Sequence, residues 1–236
     1  MKYMGSKRRI AKDILKVMLE DIGDNYFVDC FCGGGNLIMY ANCKNKIASD
    51  INPYVIQFFK RLQKEGTSWL PKNNEEFTKD DYNYMNKNKK WFCKSILGYV
   101  GYAISFGGKW FSGWCSDSCG KRDYVAESYR NACKQLELIK DVKFICSPYD
   151  KLDIPENSII YADPPYKNTT KYDAVDEFDH EKFYNWCRLM KSKGYKIYVS
   201  EYNMPDDFKC IWEKDLKITV AKDSNNKVAV EKLWTL

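Results

Sequence analysis

Asp163-Pro164-Pro165-Tyr166 stands directly behind the apolar run Ile159-Ile160-Tyr161-Ala162. The run reads as a β-strand, and the two prolines lock φ and remove N–H donors, leaving the neighbouring carbonyls free to face a ligand. A strand that ends this way aims a carboxylate, backbone carbonyls and an aromatic face into one small space. Such a pocket suits a planar heterocycle with an exocyclic –NH2. The tyrosine stacks on the ring while the carboxylate and a carbonyl accept the two amine hydrogens. Taken alone, the same four residues also fit an ordinary surface turn.

A second signal lies near the start of the chain. An apolar strand over Tyr26–Val28 runs through Asp29, Cys30, Phe31 and Cys32 into Gly33, Gly34, Gly35 and Asn36, and then into a helical pattern at Leu37-Ile38-Met39-Tyr40. Glycines at that place permit a tight turn and close backbone approach to a ligand. The strand Lys46-Ile47-Ala48-Ser49 follows and ends in Asp50, roughly 20 residues past the turn, where nucleoside-binding α/β folds place an acid on the ribose hydroxyls. The turn is not G-x-G-x-x-G, and no G-x-x-x-x-G-K-[ST] occurs, so neither a dinucleotide site nor a P-loop is indicated. Before it, Lys2-Tyr3-Met4-Gly5-Ser6-Lys7 precedes an amphipathic helix carrying Ile10, Ile14, Val17 and Met18.

In this order the segments at Lys2–Lys7, Asp29–Asn36, Ser49-Asp50-Ile51-Asn52 and Asp163–Tyr166 resemble the Dam-type (alpha-group, D12 class) DNA adenine-N6 methyltransferases. The likeness is greatest to the short forms carried by phages and prophages, in which Ser105–Phe111 and Ser200–Pro205 also find counterparts. The resemblance covers essentially the whole chain. It implies a class I S-adenosylmethionine (SAM)-dependent methyltransferase fold: an α/β, Rossmann-like, doubly wound seven-stranded sheet with an inserted, mainly helical target-recognition domain.

The strand rhythm agrees with that fold. Strands are expected near Tyr26–Val28, Lys46–Ser49, Val142–Cys146, Ile159–Ala162, Lys196–Ser200, Cys210–Leu216 and Val228–Thr235, alternating with helices. Asn52, Pro53 and Gly66 bracket one helix, and Asp179 and Gly194 another. Between Phe58 and Lys140 the rhythm stops and the chain becomes helical and aromatic. This divides it into a SAM-binding catalytic domain, 1–57 with 141–236, and an inserted DNA-binding domain, 58–140. Within the insert, Lys109, Trp110, Trp114, Lys121 and Arg122 mix cations with aromatics, as surfaces that meet phosphates and bases do.

Composition sets the outer bounds. A chain of 236 residues can bury a proper core, and 38 Lys+Arg against 32 Asp+Glu leave it mildly basic, which fits a nucleic-acid ligand. With no apolar stretch of about 18 residues and no signal-like start, neither a membrane span nor export is expected, and the ten cysteines read as reduced thiols in the cytoplasm of a bacterial or phage-infected cell. Cys115, Cys119 and Cys133 suggest zinc, but the single histidine, His180, is remote, so no metal is expected.

The resemblance also implies roles. Tyr3 and Lys7 would lie by the cofactor. Asp29, Phe31, Gly33, Gly34, Gly35 and Asn36 would line its methionine side, and Asp50, with Ile51, its ribose. Tyr149 or Asp150 would reach its adenine ring, and Asp163 would border it. Asp163, Pro164, Pro165 and Tyr166 would form the catalytic pocket, accepting the N6 amine of an adenine flipped out of double-stranded DNA, with Lys167 to Asp176 as a flap. The protein is expected to act as a monomer, or as a dimer on DNA. Rival readings are an RNA adenine methyltransferase, a glutamine or protein N-methyltransferase, and a non-catalytic nucleic-acid-binding protein of the same fold.

Overall fold

The computed structural model describes residues 1–116, 119–167, 178–217 and 228–236. Its strands are β1 (Tyr26–Asp29), β2 (Asn45–Asp50), β3 (Val142–Cys146), β4 (Ile159–Ala162), β5 (Lys196–Ser200), β6 (Lys209–Lys217) and β7 (Val228–Thr235). They form one sheet in the order β3-β2-β1-β4-β5-β7-β6. The first five are parallel, and β7 runs antiparallel to both β5 and β6. Each strand lies within a residue, at either end, of its sequence expectation.

Period-two alternation explains why these short runs serve two faces. Phe27, Ala48, Ile159 and Tyr161 join one core cluster, whereas Val28, Ile47, Ile160, Ala162, Ile197 and Val199 join another. Burial on both sides is why the central strand β4 reads as an unbroken apolar run, while β3 at the edge carries the exposed Lys143. The second face is covered by α6 (His180–Ser192) through Phe183, Tyr184, Cys187 and Met190. The first is covered by α1 (Ala11–Met18), which buries Ile14, Leu15 and Met18 while Val17 is half-buried, and by α2 (Pro53–Glu65). Asn52 caps α2 by accepting from the Tyr54 and Val55 N–H groups, and Asp179 caps α6 at Lys182.

One expected element is shorter than its sequence pattern. The apolar stretch after the glycine turn forms a single 3-10 turn, Ile38–Tyr40, in place of a helix. β2 begins at Asn45, so the chain must already run extended at Ala41, with φ −66° and ψ 116°.

The segment between β2 and β3 holds α3 (Lys79–Lys87), α4 (Lys94–Gly98), a π-helical continuation (Tyr99–Ala103) and α5 (Tyr124–Leu138). Residue 58 falls inside α2. The aromatics of this segment, including Tyr82, Tyr99 and Phe111, pack into the same cluster as Phe27, Ala48 and Ile159. Among the described residues, no helix is long and apolar enough to cross a membrane.

α4 meets the start of α2 so closely that a Cβ on Gly98 would lie 2.2 Å from the Tyr54 carbonyl oxygen. Gly98→Ala should therefore cost about 1–3 kcal/mol through overpacking. Urea unfolding of the two proteins measures it; a loss under about 0.5 kcal/mol would mean that the two helices pack less tightly than described.

Candidate active site

Parallel pairing brings three acids to one edge of the sheet. Asp29 ends β1, Asp50 ends β2 and Asp163 follows β4. β1 lies between β2 and β4, where the strand order reverses, and open α/β sheets bind ligands in the crevice at that point. Asp29 is buried, and its carboxyl is pushed well above the ordinary range by loss of water and further by the charges of Asp163 and Asp50. Burial also raises the Asp50 carboxyl, although Asp50 accepts from the Gly33 N–H at 2.8 Å and the Asn52 N–H at 2.9 Å. A carboxylate has about four lone-pair sites, so Asp50 can hold the glycine turn and still accept from a diol.

The glycines of the turn are required by what lies on them. A Cβ on Gly33 would stand 2.8 Å from the Tyr3 ring, and one on Gly34 would stand 2.6 Å from the Tyr3 Cβ. On its other side the Tyr3 backbone abuts Gly108, whose carbonyl accepts from the Met4 N–H at 3.0 Å. The N-terminal segment is thus wedged between the turn and the loop after Ser105. The Asn36 side chain is buried and donates to the Met1 carbonyl at 2.8 Å, fastening this segment from below. Tyr3 also meets Tyr102, with ring centroids 4.8 Å apart.

Lys7 ends the segment and turns its ammonium onto Asp163, 2.9 Å from Oδ1. The lysine side chain is only 8% exposed. Loss of water raises the Asp163 carboxyl to about 6, against the pull of Lys7. Lys7 Nζ also sits 4.5 Å from the centre of the Tyr166 ring and 3.6 Å from Glu231 on β7. The Tyr166 hydroxyl donates to Glu231 at 3.0 Å, and Tyr202 meets the Tyr166 ring edge-on at 4.6 Å. Glu201, buried behind β5, accepts from the backbone N–H groups of Lys167 and Tyr202 and so fixes the start of the segment after Tyr166; burial lifts its carboxyl to about 7. Residues 168–176 of the expected flap lie outside the described residues.

Sequence reading missed Glu231 and Glu201. The available signal was an acid inside the apolar strand Val228-Ala229-Val230-Glu231 and another directly behind Val199-Ser200. Nor did it pair Lys7 with Asp163, which are 156 positions apart (163 − 7).

A second aromatic group lies beside the glycine turn. Phe31 and Tyr149 stack at 5.4 Å with an interplanar angle of 29°, and Phe178, Phe183 and Trp186 close around them. Burial raises the Tyr149 phenol to about 12. Asp150 pairs with Lys182 on α6 at 2.6 Å, while Ile51 is 60% exposed. Cys30 and Cys32 are buried, and burial pushes both thiols up, which suits packing and not nucleophilic chemistry. No group of three or more potential metal-ligating side chains occurs among the described residues.

Farther out, Lys109, Lys121 and Arg122 are exposed, Arg122 in an ion pair with Glu127 at 2.6 Å. Trp110 is placed differently from these cations. It packs against Tyr54 at 4.5 Å and Tyr102 at 5.0 Å and anchors the loop to α2.

Residues 3–96 match the family model of the D12 class N6 adenine-specific DNA methyltransferases. Over these residues the chain is similar to that class. It is 26% identical over 214 residues to the type II methyltransferase M.FokI of Planomicrobium okeanokoites, covering 82% of the chain and 32% of M.FokI. It is 24% identical to the type II methyltransferase M.MjaIII of Methanocaldococcus jannaschii, covering 94% of the chain and 90% of that protein. A DNA adenine methylase of Vibrio cholerae is 26% identical over 70% of the chain and 64% of its own length. The chain thus spans about a third of M.FokI and nearly all of M.MjaIII. The D12-class match contains Tyr3, Lys7, the glycine turn and Asp50, whereas Asp163 and Glu231 lie beyond it.

Glu201 offers a test of the site's electrostatics that needs no substrate. Its folded-state value near 7 lies above the ordinary 4.5, so its stabilising contribution is complete below pH ~4.5 and is lost as pH rises through 7. Glu201→Gln should flatten the fall in unfolding free energy between pH 5 and 8 by about 2–3 kcal/mol. Parallel pH-dependence in the two proteins, by urea titration, would show that Glu201 is not protonated in the fold.

Proposed function

We propose that the chain is a site-specific DNA adenine methyltransferase that moves a methyl group from SAM to the exocyclic N6 of an adenine flipped out of the duplex. The observation that carries this reading is the meeting of Asp163 and Tyr166 on one ammonium, Lys7 Nζ lying 2.9 Å from the carboxylate and 4.5 Å from the ring centre, just past the end of β4 where the strand order reverses.

The crevice fits SAM. Asp29, Asp50 and Asp163 stand close together with their carboxyls raised by burial, and a sulfonium cation among them would favour their ionised forms. Asp50 can accept from ribose hydroxyls, and Phe31 with Tyr149 presents aromatic surface to an adenine ring. Gly33 to Gly35, Asn36 and Tyr3 shape the methionine side, with Ile51 and Asp150 at the rim. Bound there, SAM would supply an electrophilic methyl carbon with its sulfide as the leaving group. The target amine is a poor nucleophile because its lone pair is delocalised into the ring. Asp163 and the Pro164 carbonyl accept both N–H bonds and favour a pyramidal nitrogen whose lone pair faces the methyl group, while Pro165 keeps the turn rigid. As the new bond forms, the nitrogen gives up the N–H proton that Asp163 accepts, and the carboxylate passes it on to solvent. Positioning and electrostatics supply the acceleration.

Residues 58–140 are read as the target-recognition segment on double-stranded DNA, with the exposed Lys109, Lys121 and Arg122 on phosphates and Trp110 holding their loop. The working unit is taken as a monomer in the cytoplasm, acting within a restriction–modification system or as an orphan methylase.

Incubation with methyl-labelled SAM and either duplex DNA, RNA or protein tests the reading, with nucleoside analysis of the product. Label in N6-methyladenine of DNA is expected; label confined to RNA or protein would overturn it. Asp163→Ala should slow transfer more than tenfold, since a lost charge-assisted bond costs about 1.5–3 kcal/mol, while calorimetric SAM affinity changes far less. Asp50→Ala should do the reverse, weakening SAM about tenfold. Intact cofactor binding in that variant would remove Asp50 from the ribose.

Neutralising Lys109, Lys121 and Arg122 together should flatten the salt dependence of duplex binding, each lost phosphate contact lowering the log–log slope by about 0.9. An unchanged slope in filter binding would move the DNA face elsewhere on the segment.

A further inference from the structure

Glu231 has no place in the reaction as described, yet it touches two groups that do. Its carboxylate is 14% exposed, accepts the Tyr166 hydroxyl at 3.0 Å and lies 3.6 Å from Lys7 Nζ. Electrostatically this is a costly position. Glu231 is a second anion beside Asp163, and two carboxylates share the one ammonium of Lys7. Its charge makes Asp163 harder to ionise, so any benefit to catalysis must be geometric.

The geometry is specific. Tyr166 is held at its hydroxyl by Glu231, on one face by Lys7 and along an edge by Tyr202. A base stacking on this tyrosine must take the face opposite Lys7, and its distance from Asp163 then depends on where the ring stands. The anchor on that ring comes from β7, a strand antiparallel to its neighbours and near the far end of the sequence. Glu231 thus couples β7, held between β5 and β6, to the stacking ring.

We propose that Glu231 is a positioning residue for methyl transfer, fixing the Tyr166 ring through its hydroxyl and holding Lys7 against Asp163. The inference rests on the adenine-methyltransferase reading above. Among the described residues, the other titratable groups electrostatically coupled to Asp163 are Lys7, Tyr166, Tyr161, Tyr202, Asp29 and Glu201, and they are left unchanged in the test.

Single-turnover methylation of duplex DNA is measured across pH for Glu231→Ala and Glu231→Gln, with SAM affinity and melting temperature of each. Glu231→Ala should lower the plateau rate at least fivefold and move the acid limb to lower pH, with SAM affinity within threefold of wild type. Glutamine keeps an acceptor for the tyrosine hydroxyl, so Glu231→Gln should be at least threefold faster than Glu231→Ala. A plateau within fivefold of wild type, a loss of SAM affinity in proportion to rate, or a glutamine variant no faster than alanine would each overturn the proposal. A wild-type protein that labels no adenine would instead remove the reading on which it rests.

Discussion

A buried ammonium against a half-buried carboxylate, Lys7 on Asp163, is the contact on which the arrangement of the crevice depends. Neither charge is tolerable there alone, and breaking such a pair by removing one partner typically costs 3–5 kcal/mol in any protein. The pair fixes where the N-terminal segment ends, and the fit of Tyr3 between the glycine turn and Gly108 fixes where it runs. Between them they tie three distant parts of the sequence to the carboxyl edge of the sheet. They also set the chemistry, since an Asp163 carboxyl near 6 is ionised at neutral pH and can accept hydrogen bonds.

The strands were legible because their signal is local. A run buried on both faces, such as Ile159-Ile160-Tyr161-Ala162, has to be apolar at every position, and Asp163-Pro164-Pro165 marks its end. The caps Asn52 and Asp179 were legible for the same reason, as each bonds within three residues of itself. What sequence could not show is contact across the fold. Glu231 reaches Tyr166 over 65 positions, and the aromatic cluster around Tyr149 assembles residues from three parts of the chain. Trp110 reads by composition as a surface aromatic in a basic loop, but its place against Tyr54 is decided by packing. The short turn at Ile38–Tyr40 shows the opposite limit, where a helical pattern was overridden by the nearness of β2.

The helical segment and the crevice are mechanically continuous. Tyr102, in the π-helical stretch, touches Tyr3 and accepts from the Asn52 side chain at 2.6 Å, next to Asp50. Its neighbours Tyr99 and Val100 sit in the core that covers the sheet. A duplex bound on this segment would therefore bear on the wall of the crevice through packed side chains and not through a flexible linker. Under the proposed mechanism, methylation of a base presented there turns on the charge state of Asp163.

That charge state can be measured directly. Under the proposed mechanism Lys7 keeps Asp163 ionised, so the methylation rate of the wild-type protein should rise with pH through about 6. In Lys7→Met the ammonium is gone, the carboxyl rises further, and the acid limb should move to higher pH by more than about one unit. An acid limb that stays in place in Lys7→Met, in a protein that still binds SAM, would contradict the account.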